Sequence, residues 1–208
     1  MEYALLRSLR ALGPGLLILA YVDLFFALAG SHTPFWSMDS AKLFLIGYAV
    51  GGIYGVIATV LKRDRYAFKG VNDSILAALR KFAPEIGNRP WNDVSPCFYA
   101  LIDNDKSLEQ KSKGMYFNGF LVTTSFDAIW ISLGSVVIGV VAGLCRSEWN
   151  FLLVSGMATV VAYLVWKISN KRHRDLAGEQ VNVIKKRFPR QFKECVIGPL
   201  SEPDGRTR

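Results

Sequence analysis

The most informative part of the chain reads LFLIGYAVGGIYGVIATVLKRDR, residues 43–65. No charged side chain occurs in residues 43–61, and Lys62 begins a basic cluster directly after them. A helix of about 20 apolar residues spans the hydrocarbon core of a bilayer, and it satisfies its own backbone hydrogen bonds where lipid cannot. The segment therefore predicts a membrane-spanning helix that ends in a basic cluster.

Three further segments have the same character. Residues 13–30, 118–144 and 150–168 are predominantly apolar and long enough to span a bilayer as helices. Of the 208 residues, 51% are hydrophobic and 20% are charged, and the mean hydropathy is +0.23. This composition is too apolar for an ordinary soluble domain. The sequence predicts an all-α polytopic membrane protein with four transmembrane helices and a small helical cytoplasmic module.

The positions of the basic residues predict how the chain is threaded. Of the 25 lysines and arginines, 23 lie before the first span, in the 62–117 loop, or at and beyond the end of the fourth span. Only Lys42 and Arg146 lie in the connections on the opposite side, 31–42 and 145–149. Basic residues near a span resist translocation, so we expect both termini and the 62–117 loop to be cytoplasmic. In a bacterium this is an inner-membrane protein.

This threading divides the chain into six segments. We expect a cytoplasmic N-terminal segment (1–12), a transmembrane hairpin (13–61), a cytoplasmic helical loop (62–117), a second transmembrane hairpin (118–168), a cytoplasmic C-terminal helix (169–193) and a flexible tail (194–208). The loop and the C-terminal helix are each too short to bury a sizeable core, so we expect them to fold together.

The predicted C-terminal helix carries a narrow apolar seam. Its members recur at helical spacing, at Ala177, Val181, Ile184 and Phe188. Such a seam suits another helix. The seam either packs on the amphipathic helix predicted around residues 75–86 of the same chain, or part of it faces a second copy. The sequence leaves both alternatives open.

Two spans carry small residues at every fourth position. Gly47, Gly51 and Gly55 do so in the second span, and Ser135, Gly139 and Gly143 repeat the pattern in the third. Small residues let two membrane helices approach to backbone contact. The two faces could pack on each other within the chain, or they could form an interface between copies of a homo-oligomer.

Asp23 and Asp127 are the ionisable residues expected well inside the hydrocarbon. Each lies about ten residues into its span, so we expect similar depths and a contact between the two. No basic residue is expected at that depth. The carboxyls are then either hydrogen-bonded to hydroxyls, or they lie beside water and a cation. The hydroxyls available are those of Tyr48, Tyr54, Thr123 and Thr124.

Three basic clusters lie at or below the expected inner headgroups. They comprise Lys62, Arg63 and Arg65, then Lys171, Arg172 and Arg174, and finally Lys185, Lys186 and Arg187. Topology and anionic lipid headgroups explain most of this charge. The alternative is a site for an anionic cytosolic ligand or a protein partner. Contact with nucleic acid is electrostatically compatible but is not the favoured interpretation.

The sequence gives little indication of a disulfide framework or of a catalytic site. Cys97, Cys145 and Cys195 are odd in number and widely spaced, so we expect free thiols rather than a disulfide framework, and a reducing cytosolic face is the simpler assumption. We find no phosphate-binding glycine loop, no metal-ligand spacing and no nucleophile motif. We therefore predict a protein without enzymatic activity, cofactor or metal site.

The leading functional hypothesis is a homo-oligomeric membrane pore or membrane effector, gated or recruited through its basic cytoplasmic module. In it, Asp23 and Asp127 line or support the polar part of the membrane region. One alternative is a small carrier driven by protons or cations, in which the two carboxyls titrate. Another is a membrane-anchored adaptor that recruits a cytosolic complex, for example as a bacterial defence component. Bacterial defence systems use compact multi-span effectors of the kind in the leading hypothesis, which is an analogy of architecture alone.

Overall fold

The computed structural model describes residues 2–31, 35, 38–103, 106–146 and 149–197, and no strand occurs among them. The longer helices coincide with the apolar segments, and the shorter ones lie between and after them. The helices are α1 (Glu2–Leu28), α2 (Ser40–Val60), α3 (Arg63–Ala67), α4 (Lys69–Phe82), α5 (Trp91–Asp103), α6 (Lys106–Arg146), α7 (Trp149–Arg187) and α8 (Pro189–Ile197). A 3-10 turn, Pro84–Ile86, lies between α4 and α5.

Four helices are long and apolar enough to cross a membrane. The segments concerned are Arg10–Leu28 in α1, Ser40–Val60 in α2, Gly114–Cys145 in α6 and Trp149–Arg187 in α7. This confirms the prediction of an all-helical protein with four potential spans. By the length and composition of its helices, the chain is a multi-pass integral membrane protein.

Several helices continue beyond the apolar segments that predicted them. Residues 2–12 of the predicted N-terminal segment are the first turns of α1, so they do not form a separate part. α6 begins at Lys106 and α7 continues to Arg187, and neither contains a proline that would break it. The C-terminal helix predicted to reach residue 193 instead ends before Pro189, which starts α8.

Three predicted irregular segments are only partly covered. The flexible tail was predicted to start at residue 194, but residues 194–197 belong to α8. The rest of that tail, residues 198–208, lies outside the described residues. The same holds for residues 32–34, 36 and 37 of the predicted outer loop, and for residues 147 and 148 of the other.

The chain forms two compact units. The apolar unit comprises Met1–Ala67 and Gly119–Ser169, and the helical module comprises Phe68–Asn118 and Asn170–Arg208. α6 and α7 contribute to both units. α1, α2 and α3 belong to the apolar unit, whereas α4, α5 and α8 belong to the module.

In the apolar unit, α1 contacts each of the other three long helices. Gly15 lies against α2, and the Tyr21 hydroxyl lies 2.7 Å from Oγ of Ser132 on α6. The rings of Tyr21 and Phe25 pack edge-on against Phe151 of α7. Successive contacts along these helices show that α1 runs parallel to α6 and antiparallel to α2. The unit is therefore an antiparallel four-helix bundle, built around α1.

The backbones of α1 and α2 touch where glycines face each other. A β-carbon added to Gly15 would lie 1.7 Å from the main-chain oxygen of Gly47. One added to Gly51 would lie 1.7 Å from the main-chain oxygen of Ala11. Gly55, in contrast, would meet nothing within 4 Å. Two of the three glycines in the α2 pattern are thus used inside the chain, and their partner is α1 rather than the small face of α6.

The helical module has an apolar core drawn from both of its segments. Ala177, Val181 and Ile184 of α7 are buried there, and Phe188 is packed at its edge. The apolar seam of α7 therefore packs within the chain. The residues of α4, the 3-10 turn and α5 that share this core are Val71, Ile75, Leu76, Leu79, Ile86, Val94, Cys97, Phe98 and Ile102.

Two of the three cysteines are bonded to each other. Cys97 of α5 and Cys195 of α8 form a disulfide, with their Cα atoms 5.8 Å apart. The expectation of free thiols is wrong for this pair, because two helices that are far apart in sequence are neighbours in the module. Cys145 of α6 is free and exposed.

We expect Gly51→Ala to destabilise the protein and Gly55→Ala to leave it unchanged or slightly more stable. The new methyl group at position 51 collides with the α1 backbone, and such overpacking costs about 1–3 kcal/mol. At position 55 there is open space, and alanine favours the helix. Unfolding of both variants in mixed detergent micelles measures the difference. Equal stability of the two variants would contradict the backbone contact.

Candidate functional site

Two polar side chains of the apolar unit, those of Arg63 and Tyr54, bond to Asp127 on α6. Nη1 of Arg63 lies 2.9 Å from Oδ1 and 2.8 Å from Oδ2 of Asp127. The Tyr54 hydroxyl, from α2, donates to Oδ1 at 3.0 Å. The Asp127 side chain is 1% exposed and that of Arg63 is 13% exposed. Both carboxylate oxygens are therefore bonded inside the protein.

A second ion pair extends this cluster to α1. Nε of Arg63 donates to Oδ1 of Asp64 at 3.1 Å, and Nη2 of Arg10 donates to the same oxygen at 2.7 Å. Asp64 is 60% exposed, so the chain of contacts leads from the surface to the buried Asp127. We call Arg10, Tyr54, Arg63, Asp64 and Asp127 the ionic cluster. Its two arginines and two aspartates balance in charge, which suits a clamp between helices better than a site for a free ion.

A tight turn brings Arg63 to its partner. α2 ends at Val60, and Lys62 adopts a left-handed backbone conformation with φ 52°. This conformation commonly ends helices, although glycine is the usual residue there. The main-chain nitrogens of Leu61 and Lys62 donate to Ile57 and Thr59, so the turn also satisfies the end of α2. Arg63 then starts α3 next to the bundle.

The charges in the cluster stabilise one another. Burial lowers the pKa of Arg63, but the negative charges of Asp127 and Asp64 outweigh it and leave the pKa above its ordinary value. Arg63 is therefore cationic. A carboxylate in a membrane interior is costly, and a bonded arginine offsets that cost.

Asp23 does not take part in this cluster. Gly13 faces Thr124 and Tyr21 faces Ser132, so each residue of α1 is level with the residue 111 positions later on α6. Asp127 is then level with residue 16 of α1, seven residues before Asp23, or about 10 Å along the helix. The sequence interpretation, which gave the two aspartates similar depth, is wrong by that distance. The expectation that no basic residue reaches Asp127 is wrong as well.

The hydroxyls proposed as partners of Asp127 have different roles. Tyr54 is the one that contacts it, while Tyr48 is exposed. The Thr123 hydroxyl donates to carbonyls of its own helix. Oγ1 of Thr124 and Nε of Arg10 are buried without a hydrogen-bond partner. Thr124 precedes Asp127 by one helical turn, so an unsatisfied hydroxyl lies beside the cluster.

The small residues of α6 pack mainly against α7. A β-carbon on Gly139 would lie 2.9 Å from Cα of Leu152, and one on Gly143 would lie 2.7 Å from the ring of Trp149. Ser135 is buried, and its hydroxyl donates to the carbonyl of Ile131. This face of α6 is therefore occupied within the chain.

The basic residues predicted to bind lipid or ligand differ in their surroundings. Arg63 belongs to the ionic cluster, whereas Lys62 beside it is exposed. The side chain of Arg65 lies outside what the structure describes. The remaining basic residues are exposed along α7, at Lys171, Arg172, Arg174, Lys185, Lys186 and Arg187. Among the basic residues of these clusters whose side chains the structure describes, Arg63 is the one that contacts Asp127.

The module buries a polar face of α7 that the sequence interpretation did not consider. Asn170, His173 and Gln180 are each less than a tenth exposed. Oδ1 of Asn170, Nδ1 of His173 and Oε1 of Gln180 have no hydrogen-bond partner. The His173 ring packs against Phe68, with ring centroids 5.3 Å apart. The three atoms are spread over ten residues of helix, so they do not form one compact site.

Sequence reasoning missed Arg63 as the partner of the buried carboxyl, and it missed Asp64 and Arg10, which extend the cluster from Arg63 to α1. The available signal was the length of the arginine side chain, which lets a residue just outside a span reach into it. Arg63 and Asp64 follow α2 closely, and Arg10 opens the apolar part of α1. If the predicted ends of the spans are taken as fixed boundaries, the reach of these side chains into the spans is overlooked.

Comparisons with protein families, curated proteins and solved structures find no match to the chain. Within the described residues, no group of three or more histidine, cysteine, aspartate or glutamate side chains could hold a metal ion. The functional interpretation therefore depends on the geometry of the ionic cluster and of the two units.

We expect Arg63→Ala and Asp127→Asn to destabilise the protein strongly. Removing one partner of a buried ion pair costs about 3–5 kcal/mol, because the other charge is left without a partner. Lys62→Asn is the matched control, since Lys62 is exposed and asparagine tolerates its backbone conformation. Unfolding in mixed micelles measures all three variants. A loss in Arg63→Ala no larger than in Lys62→Asn would contradict the proposed clamp.

Proposed function

We propose that the chain is a homo-oligomeric membrane effector, gated or recruited through the helical module, with the module and both termini on the cytoplasmic side. The distribution of 23 basic residues against two supports this threading. The observation that carries the gating proposal is the Arg63–Asp127 ion pair. Arg63 lies four residues before Ala67, where the chain leaves the apolar unit for the module.

The ionic cluster provides a device with two states. α3 has five residues, and it connects Arg63 directly to the first residues of the module. A displacement of the module that pulls on α3 would draw the guanidinium away from Asp127. The carboxylate would then be buried without its charged partner, which is a high-energy state. The α1–α2 hairpin would be free to move relative to α6, because the cluster is one of the contacts that joins them.

A single bundle of four helices is too narrow to enclose a wide aqueous path beside its own core. Leu12, Leu19, Val122 and Phe151 are buried in the interior of the apolar unit. The outward faces carry exposed apolar side chains such as Ile53 and Val137, which suit lipid or other copies of the chain. A pore is therefore proposed only as an assembly of several copies.

The carrier alternative has less support from the geometry. A carboxyl that binds a cation or exchanges a proton during transport needs an oxygen that is open to the transported ion or proton. Both oxygens of Asp127 are bonded to Arg63, and one also accepts from Tyr54. Asp23 lies about 10 Å away along the bundle, so the two carboxyls do not form a pair.

A membrane-anchored adaptor is the second candidate, and the core of the module favours it. A common set of apolar side chains is buried by α4, α5, α7 and α8, so the module is a folded unit. A folded unit has a defined surface that a partner can bind. In an adaptor, the apolar unit serves as an anchor and the ionic cluster serves only its stability. Deleting the module would abolish function, whereas loosening the cluster would leave recruitment intact.

Ion flux from lipid vesicles distinguishes the two candidates. For an effector, we expect Asp127→Asn vesicles to leak several-fold faster than wild-type vesicles, because the clamp is released. Lys62→Asn is the control and should match the wild type. The size of the oligomer in detergent is measured on the same samples. If a folded Asp127→Asn variant shows no flux beyond the wild type, the gating proposal is wrong and the adaptor is favoured.

A further inference from the structure

The disulfide holds the last described helix to the rest of the helical module. α8 has nine residues, and Cys195 connects it to Cys97 on α5. A helix this short is not stable by itself in water, so its conformation depends on what it packs against. Its side chains Phe192 and Val196 are buried in the module core.

Two polar contacts add to this docking. Nζ of Lys193 lies 2.8 Å from Oε1 of Glu85, and both side chains are more than a third exposed. This hydrogen bond lowers the pKa of Glu85. Arg89 donates to the main-chain oxygen of Val196. An exposed ion pair contributes little, so the disulfide and two apolar side chains are the main attachments of α8.

The two cysteines differ in their access to solvent. Cys97 is 4% exposed and belongs to the core, whereas Cys195 is an exposed residue. A thiol or peroxide from solution can therefore approach the Cys195 side of the bond. Thiol–disulfide exchange requires such access by the attacking group, together with a leaving thiolate. The pair therefore has one member that lies at the surface, where an attacking thiol can approach.

The threading proposed above places this bond on the reducing side of the membrane. Disulfides that form in a cytoplasm are usually transient and either catalytic or redox-sensing. We propose that Cys97 and Cys195 are a redox switch that fixes α8 when oxidised and releases it when reduced. This inference rests on the cytoplasmic placement of the module in the proposed function.

Each direction of the switch has a balanced reaction. In oxidation, the Cys195 thiolate attacks hydrogen peroxide and takes up one oxygen, which gives a sulfenic acid and, with a proton, water. The Cys97 thiol then attacks that sulfur and displaces a second water, so two thiols and one peroxide give one disulfide and two waters. In reduction, a cytosolic dithiol attacks Cys195, Cys97 leaves as a thiolate, and the second thiol of the dithiol completes the exchange.

Release of α8 would change the surface of the module. The Phe192 ring packs beside that of Phe82, with centroids 5.4 Å apart. Undocking would uncover this apolar contact and separate Lys193 from Glu85. The disulfide also closes a long loop, since the two cysteines are 98 positions apart in the sequence. Its loss raises the conformational entropy of the unfolded chain and therefore lowers the stability of the module.

The test uses the full-length chain with Cys145→Ser, which removes the free thiol. The protein in detergent is reduced with dithiothreitol, and hydrogen exchange of residues 189–197 is followed before and after. We expect exchange to rise at least tenfold on reduction and to fall again after one equivalent of hydrogen peroxide. Cys97→Ser and Cys195→Ser variants should exchange like the reduced protein and should not respond to either reagent.

The oxidation state of Cys97 and Cys195 in living cells tests whether the switch operates there. Thiols are trapped by rapid alkylation in cells that produce the protein, with and without a brief peroxide pulse. The switch predicts two free thiols at rest and a disulfide after the pulse. A permanent disulfide in resting cells, no oxidation by peroxide, or unchanged α8 exchange on reduction would each overturn the proposal.

A labelling control separates failure of the switch from failure of the threading. A cysteine introduced at exposed Pro90 in a Cys145→Ser background is treated with a maleimide that does not cross membranes. Labelling only in opened cells supports the cytoplasmic placement. If intact cells are labelled and the native pair is always oxidised, the threading in the proposed function is wrong. If labelling needs opened cells and the native pair never oxidises, the switch alone is wrong.

Discussion

The architecture of the apolar unit depends on giving Asp127 a partner of opposite charge. A carboxylate among apolar helices is costly unless it is bonded, and Arg63 and Tyr54 bond both of its oxygens. To reach it, the chain must turn sharply after α2, which explains the left-handed conformation at Lys62. One ion pair thus connects the start of α3, just after the end of α2, to the inward face of α6.

The close contacts of α1 complement this constraint. Gly15 and Gly51 allow α1 and α2 to meet at backbone distance, while Tyr21 fixes the level of α1 against α6. Arg10, near the start of the same helix, reaches the outer end of the ionic cluster through Asp64. α1 is therefore held by contacts from Arg10 to Phe25.

The sequence predicted the helices better than it predicted their contacts. Four apolar segments were sufficient to place the long helices, because the length and hydrophobicity of a span are visible in the residue pattern. The seam at Ala177 marked residues that are buried in the module core, but it left open what they pack against. The residue pattern does not show how far one helix is displaced along its axis relative to another. That displacement depends on contacts such as Tyr21 with Ser132, and an error of seven residues moved Asp23 beside Asp127.

The pairing of Cys97 with Cys195 was concealed for a similar reason. Their separation of 98 residues carries no signal, and only the packing of α5 and α8 brings them together. Arg63 was assigned to the headgroup region, although a long side chain can reach a buried partner from there. Contacts between residues that are distant in sequence, and the reach of flexible side chains, are what remained to be learned from the structure.

The most direct test of the account is to exchange the two charges of the buried pair. Arg63→Asp and Asp127→Arg are each expected to place like charges together and to lower the melting temperature of the detergent-solubilised protein sharply. The double variant restores opposite charges at the same positions, so it should melt closer to the wild type than either single variant does. Additive losses in the double variant would contradict a direct interaction between these side chains.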